Sequence, residues 1–155
     1  MLEVRVEHLG EVQFEIQARG HKVISDQPIE AGGFDEGMTP PEFLLASLGS
    51  CAGYYAADYL KRQQLAVAGT RVRVTAEKVT APVRLDQFRI SIEAPVPLTG
   101  MQEEGLHRAV ERCLVHNTLL HPPKIEIVLE QIPASAQNAA IVARLDPAHL
   151  TEHVH

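Results

Sequence analysis

The feature that most constrains this chain is a long uncharged run inside a segment that has to be helical. From Phe43 to Ala57 it reads FLLASLGSCAGYYAA, with Glu42 before it and Asp58, Lys61 and Arg62 after it. Thr39 can cap the start, the Pro40–Pro41 pair suits a first turn, and Glu42 lies where the helix dipole favours an anion. Residues 40–65 therefore predict a helix that is apolar on nearly every face. Such a helix must be enclosed by the rest of its own chain or by a second subunit. Ala46, Ser47, Gly49, Ser50, Ala52 and Gly53 allow another backbone to come close, at some expense in helical propensity.

The flanks read as β. Leu2, Val4 and Val6 alternate with charged residues, and after Gly10 the alternation resumes through Val12, Phe14 and Ile16. A turn at residues 18–20 leads to a short strand, 21–25. A loop follows from Asp26 to Thr39, with Pro28, Gly32, Gly33 and Gly37, and its length suits a functional segment. Beyond Gly69 period-two patterning returns at Val72 and Val74, then at Phe88, Ile90 and Ile92. A second helix is expected from about Gln102 to Asn117, with Leu106, Val110, Cys113 and Asn117 on one stripe. The prolines of HPPKIEIVLEQI stop it, and a last strand is expected over 124–131. The order β-β-β-α-β-β-α-β is an α+β pattern in one domain, 1–132. Residues 133–155 are expected to be a C-terminal extension that could carry a short helix around Ala139 to Leu145.

The 155 residues suffice for a real core, and a hydrophobic fraction of 45% argues against disorder. A net charge of -6 argues against a nucleic-acid groove or an anionic membrane surface as partner. The start, MLEVRVEHLGEV, has no secretory pattern, and no run reaches the roughly 18 apolar residues that span a bilayer. A soluble, cytoplasmic protein is expected, without a resident cofactor or metal.

Cys51 and Cys113 are the only cysteines. As plain packing, each would be a small buried hydrophobe. A thiol that reduces a peroxide has other needs: thiolate character, shelter, and a second thiol to discharge its sulfenic acid. One cysteine on each core-facing helix supplies that pair if the helices cross, which spacing alone does not establish.

Two segments resemble a known family. TPPEFLLASLGSC, residues 39–51, is similar to the motif around the reactive cysteine of the OsmC/Ohr superfamily, and HRAVERCLVHNTL, residues 107–119, to its second-cysteine motif. The resemblance covers about residues 1–132. It implies an OsmC-like fold, with antiparallel sheets around two core helices, in an intertwined homodimer. It also implies thiol-dependent reduction of organic hydroperoxides, with Cys51 oxidised to sulfenic acid and Cys113 closing a disulfide that a dithiol, possibly of lipoyl type, reduces. Glu42 matches the family glutamate, although on one straight helix it stands half a turn and roughly 13 Å from Cys51. Its other reading is an ordinary first-turn acid.

The peroxide-reducing branches carry an arginine near the thiol, but the loop from Asp26 to Thr39 has none and Arg19 reads as a turn residue. That places the chain nearer the OsmC-like branch. Three other readings stand beside it. Cys51 could attack acyl groups with His107 or His116 as base. Cys51, His107, Cys113 and His116 could ligate zinc, although no compact pair anchors the set. The chain could instead be a non-enzymatic module that binds an apolar small molecule, its cysteines only packing. His149, His153 and His155 read as solvated.

Overall fold

The structure is a computed structural model and describes residues 1–131. Three strands, β1 (Arg5–Gly10), β2 (Gln13–Ala18) and β3 (His21–Ser25), form an antiparallel sheet in chain order. The helix α1 (Pro40–Arg62) follows. A long hairpin comes next, β4 (Arg71–Thr80) with β5 (Val83–Glu93). The helices α2 (Gly100–Val110) and α3 (Leu114–Leu120) are the last elements among the described residues, and a 3₁₀ turn, Ile29–Ala31, lies in the loop before α1. The architecture is α+β, as the patterning predicted.

The small residues of α1 determine how the core is assembled. Ala52 and Ala56 are fully buried and meet Leu106 and Val110 of α2, with Tyr59, Val72, Ile90, Ile92 and Leu98 packed around them. Gly49 and Gly53 face β4: a methyl group on Gly49 would stand 3.1 Å from Val74, tighter than side chains normally pack. Gly105 of α2 lies against the Tyr59 ring, where a Cβ would overlap it. Leu48 and Leu60 are also fully buried on α1, each worth roughly 1.5–3 kcal/mol.

The other faces of α1 stay open in the single chain. Leu44 and Ala46 are exposed, and Tyr54 keeps 68% of its surface accessible. The β1–β3 sheet likewise shows Val6, Leu9, Phe14 and Val23 to solvent. The expectation of a helix enclosed on all sides is thus met on one side only by residues of its own chain.

Two expectations are corrected. The single helix from Gln102 to Asn117 is two helices with a bend at 111–113. The Cys113 backbone is non-helical (φ -57°, ψ 124°) and its N–H bonds to the Val110 carbonyl at 2.9 Å. Cys113 serves as the N-cap of α3, its Sγ accepting the His116 N–H at 3.4 Å. Periodicity survives through Leu106, Val110 and Cys113, which are all buried, but Asn117 is exposed and donates its amide to the Glu111 carbonyl. The expected strand over 124–131 is absent among the described residues. A strand needs an edge to pair with, and here Ile125, Ile127 and Leu129 stand exposed without one. Residues from Pro123 onward form a unit separate from Met1–Pro122. The short helix expected around Ala139 to Leu145 falls outside the described residues.

Candidate functional site

Cys51 lies in the middle of α1, partly accessible, on the side where α1 meets the α2–α3 bend. Cys113, at that bend, is fully buried. The two thiols are neighbours, close enough for the Cys51 side chain to bear on the protonation of Cys113. Both are free thiols. Burial first, then the neighbouring Cys51 thiol, pushes the Cys113 thiol above its ordinary value of 9.0. The N–H groups of His116 and Val115 oppose that shift without cancelling it. Cys113 is therefore a protonated thiol at neutral pH, while its partner is the one that solvent can reach.

Glu42 is placed in a capping box at the start of α1. Its Oε2 accepts the Thr39 N–H at 2.7 Å and the Thr39 hydroxyl at 2.8 Å. Those bonds, the backbone one foremost, hold its carboxyl below the usual range despite some burial. The carboxylate thus fixes where the loop hands over to the helix.

The structure also brings out a residue that the sequence reading passed over. Asp26 is fully buried at the head of the loop. Its Oδ1 accepts the Gln27 N–H at 2.8 Å, and its Oδ2 accepts the N–H groups of Phe34 and Glu36, both at 3.1 Å. Gln13 of β2 donates to the same Oδ2 at 3.3 Å and to Glu36 at 2.9 Å. Burial alone would raise the Asp26 carboxyl, but the donors of Glu36, Gln27, Phe34 and Gln13 outweigh it and hold it below 3.8. Gly33 is pressed against the Gln27 carbonyl and Asp26 Oδ1, where no Cβ fits. The available signal was an acid standing directly before a glycine-rich loop, whose amides need an acceptor once the loop is closed.

The remaining candidates are not gathered at the thiols. Arg19 occupies the β2–β3 turn with φ 56°, the turn role its sequence context suggested. His107 forms an exposed pair with Glu111 at 3.3 Å, one turn on. Among the described residues no three His, Cys, Asp or Glu side chains come together as a metal site. His116 is different: its N–H bonds Cys113, and its ring Nδ1 is buried without a partner among the described residues.

The sequence pattern of OsmC-like proteins matches residues 33–128, a span that includes both cysteines and the helices carrying them. The chain belongs to the OsmC-like family. Solved structures agree on the fold. An OsmC-like protein from Mycoplasma pneumoniae superposes with a TM-score of 0.68 at 18% identity, over 79% of this chain and 89% of that one. An osmotic-stress-induced and detoxification-response protein from Psychrobacter arcticus 273-4 gives 0.69 at 22% identity, over 76% and 88%. An organic hydroperoxide resistance protein from Legionella pneumophila gives 0.56 at 15% identity, over 77% and 88%. No functionally curated protein matches the chain. Within the described residues of this OsmC-like protein, no helix is long and apolar enough to cross a membrane.

Proposed function

We propose that this OsmC-like protein is a thiol peroxidase for organic hydroperoxides, with Cys51 as the attacking thiol and Cys113 as its disulfide partner. The observation that carries the reading is the proximity of a partly accessible Cys51 to a fully buried Cys113 whose protonation it raises. The Cys51 thiolate attacks the terminal oxygen of the hydroperoxide. An S–O bond forms, the O–O bond breaks, and the departing alkoxide takes the proton the thiol gave up, leaving an alcohol and a sulfenic acid. The Cys113 thiolate then attacks the sulfenic sulfur, forming the disulfide and releasing hydroxide, which leaves with a proton as water. A cellular dithiol, of the lipoyl type implied by the family resemblance, restores both thiols. Glu42 acts as a positioning residue, holding the loop to the start of the helix that carries Cys51.

The test is a thiol count after one equivalent of cumene hydroperoxide. Loss of two thiols per chain is expected; two unreacted thiols would overturn the reading and favour a module whose cysteines only pack.

The Cys113 environment sets a pH dependence. Because its thiol is held above 9.0, its thiolate fraction is small at neutral pH and grows about tenfold per pH unit. Disulfide closure after a stoichiometric pulse of peroxide should accelerate in step, with no plateau below pH 9.0. Stopped-flow measurement of that step checks it, and a plateau near neutrality would contradict the burial argument.

The functional unit in this reading is a homodimer. Leu44 and Tyr54 on α1, the apolar side chains of the β1–β3 sheet, and Ile125, Ile127 and Leu129 together leave more apolar surface than a monomer normally shows. Light scattering should give twice the chain mass of 17.0 kDa, and a monomer would refute the assignment.

A further inference from the structure

Cys113 is a structural joint as well as a thiol. It is the N-cap of α3, and its Sγ accepts the backbone N–H of His116, at 3.4 Å, and that of Val115. The first N–H groups of a helix have no partner inside it, so this sulfur supplies what the backbone lacks. The Cys113 backbone itself is pinned on both sides. Its N–H donates to the Val110 carbonyl at 2.9 Å, and its carbonyl accepts the Asn117 N–H at 2.9 Å.

Little else secures α3. Its seven residues fall well short of the length at which a helix holds itself together in water. None of them is buried, and Leu114, Asn117, Thr118, Leu119 and Leu120 are exposed. The Asn117 amide donates to the Glu111 carbonyl at 3.1 Å, and the Thr118 hydroxyl only to Leu114 of its own helix. The buried His116 Nδ1 adds no tie among the described residues. The helix before the bend is built differently. A capping box of Thr99 and Gln102 starts α2, and Leu106, Ala109 and Val110 bury it, so nothing that holds it involves a thiol.

Oxidation places a second demand on the Cys113 sulfur. Reduction of one organic hydroperoxide takes two electrons from the pair. Each thiol gives up a proton, an S–S bond forms, and the hydroperoxide leaves as an alcohol and water. With its backbone pinned, Cys113 reaches Cys51 by swinging Sγ away from the α3 amides. A backbone that followed the sulfur would carry the first residue of α3 with it. Either movement leaves the Val115 and His116 N–H groups without their acceptor, and they recover one only by opening to water.

We infer that closing the Cys51–Cys113 disulfide withdraws the N-cap of α3 and loosens that helix, so that the oxidised chain presents a different surface at Leu114, Leu119 and Leu120. The inference takes its trigger from the peroxidase reading. The change ends at the bend, and it runs against the usual effect of a cross-link, which is to stabilise. A reductant of the disulfide thereby meets a feature that the dithiol form lacks.

Backbone amide hydrogen exchange on the full chain tests this. The disulfide is closed in one sample with cumene hydroperoxide. In another it is closed with diamide, which takes up the same electrons and protons without peroxide chemistry. Exchange from Val115 to His121 should be about tenfold faster in the oxidised chain than in the dithiol form, while Leu60 of α1 and Val110 of α2 exchange no faster. Cys113→Ala should loosen α3 to the same extent without any oxidant. Cys113→Ser, whose hydroxyl caps, should stay within about twofold of the reduced wild type before and after peroxide. Unchanged or slower α3 exchange in a chain that mass spectrometry shows to hold the disulfide would overturn the switch, and leaves the peroxidase reading intact where peroxide closed the bond. A chain that diamide closes and loosens, but that cumene hydroperoxide leaves reduced, overturns the peroxidase and keeps the switch. Two thiols that neither oxidant joins would overturn both.

Discussion

Cys51→Ser should abolish consumption of cumene hydroperoxide, lowering the second-order rate by about 10⁴-fold or more, while leaving the fold unchanged. The magnitude follows from removing a nucleophile for which no other group substitutes. The second cysteine cannot take over, since Cys113 is fully buried and its burial keeps it protonated. The fold should persist because Cys51 sits among small residues on α1 and serine nearly matches its volume. Cys113→Ser separates the roles of the two thiols. The first turnover should proceed at a rate within about threefold of wild type, and Cys51 should then remain as a sulfenic acid that dimedone traps. Mass spectrometry of the dimedone-treated variant reads this directly. An adduct at Cys113 in the wild type, or at neither cysteine in the variant, contradicts the assignment.

The largest structural effect is expected at Asp26. Asp26→Asn replaces one acceptor oxygen with an amide that meets the N–H groups donated to it, so at least one buried donor loses its partner. Thermal denaturation should show a Tm lower by about 5–10 °C, from the loss of charge-assisted hydrogen bonds in a chain of this size. The same residue predicts an acid limb. Its folded-state value lies below 3.8, so its contribution to stability is fully present above that pH and is lost as pH falls through the depressed value. Wild type should lose stability there more steeply than Asp26→Asn, which has no carboxylate to protonate. Chemical denaturation at pH values from about 5 down to 2 measures the difference. Equal acid sensitivity in the two proteins would mean that the carboxylate does not secure the loop.

Much of this protein was legible before its structure. The uncharged run from Phe43 to Ala57 forces a helix whose surface has to be covered, and α1 runs Pro40–Arg62 with its alanines at the core. Alternation placed β3 at 21–25 and put Val72, Val74, Ile90 and Ile92 on the long hairpin. Periodicity read the second helix less well, because period alone does not distinguish a continuous helix from two that bend at Cys113. A buried thiol that caps α3 keeps the same hydrophobic stripe while breaking the backbone. The strand over 124–131 failed for the complementary reason. Its alternation states a preference for pairing, and a strand exists only where an edge accepts it.

The sequence by itself determined the element types, the apolar character of α1 and the two cysteines within motifs of one family. Local backbone preference and burial pattern are written residue by residue, and a few neighbours suffice to read them. Only the tertiary structure decided that Cys51 and Cys113 are neighbours, that Asp26 anchors the loop, and that His116 Nδ1 is buried without a partner among the described residues. The thiol pair depends on two helices far apart in the chain packing together, and the Asp26 cluster on the loop folding back over β2. How closely α1 approaches β4 and α2 is set at Gly49, Gly53 and Gly105, where the absence of a side chain, and not its chemistry, fixes the distance.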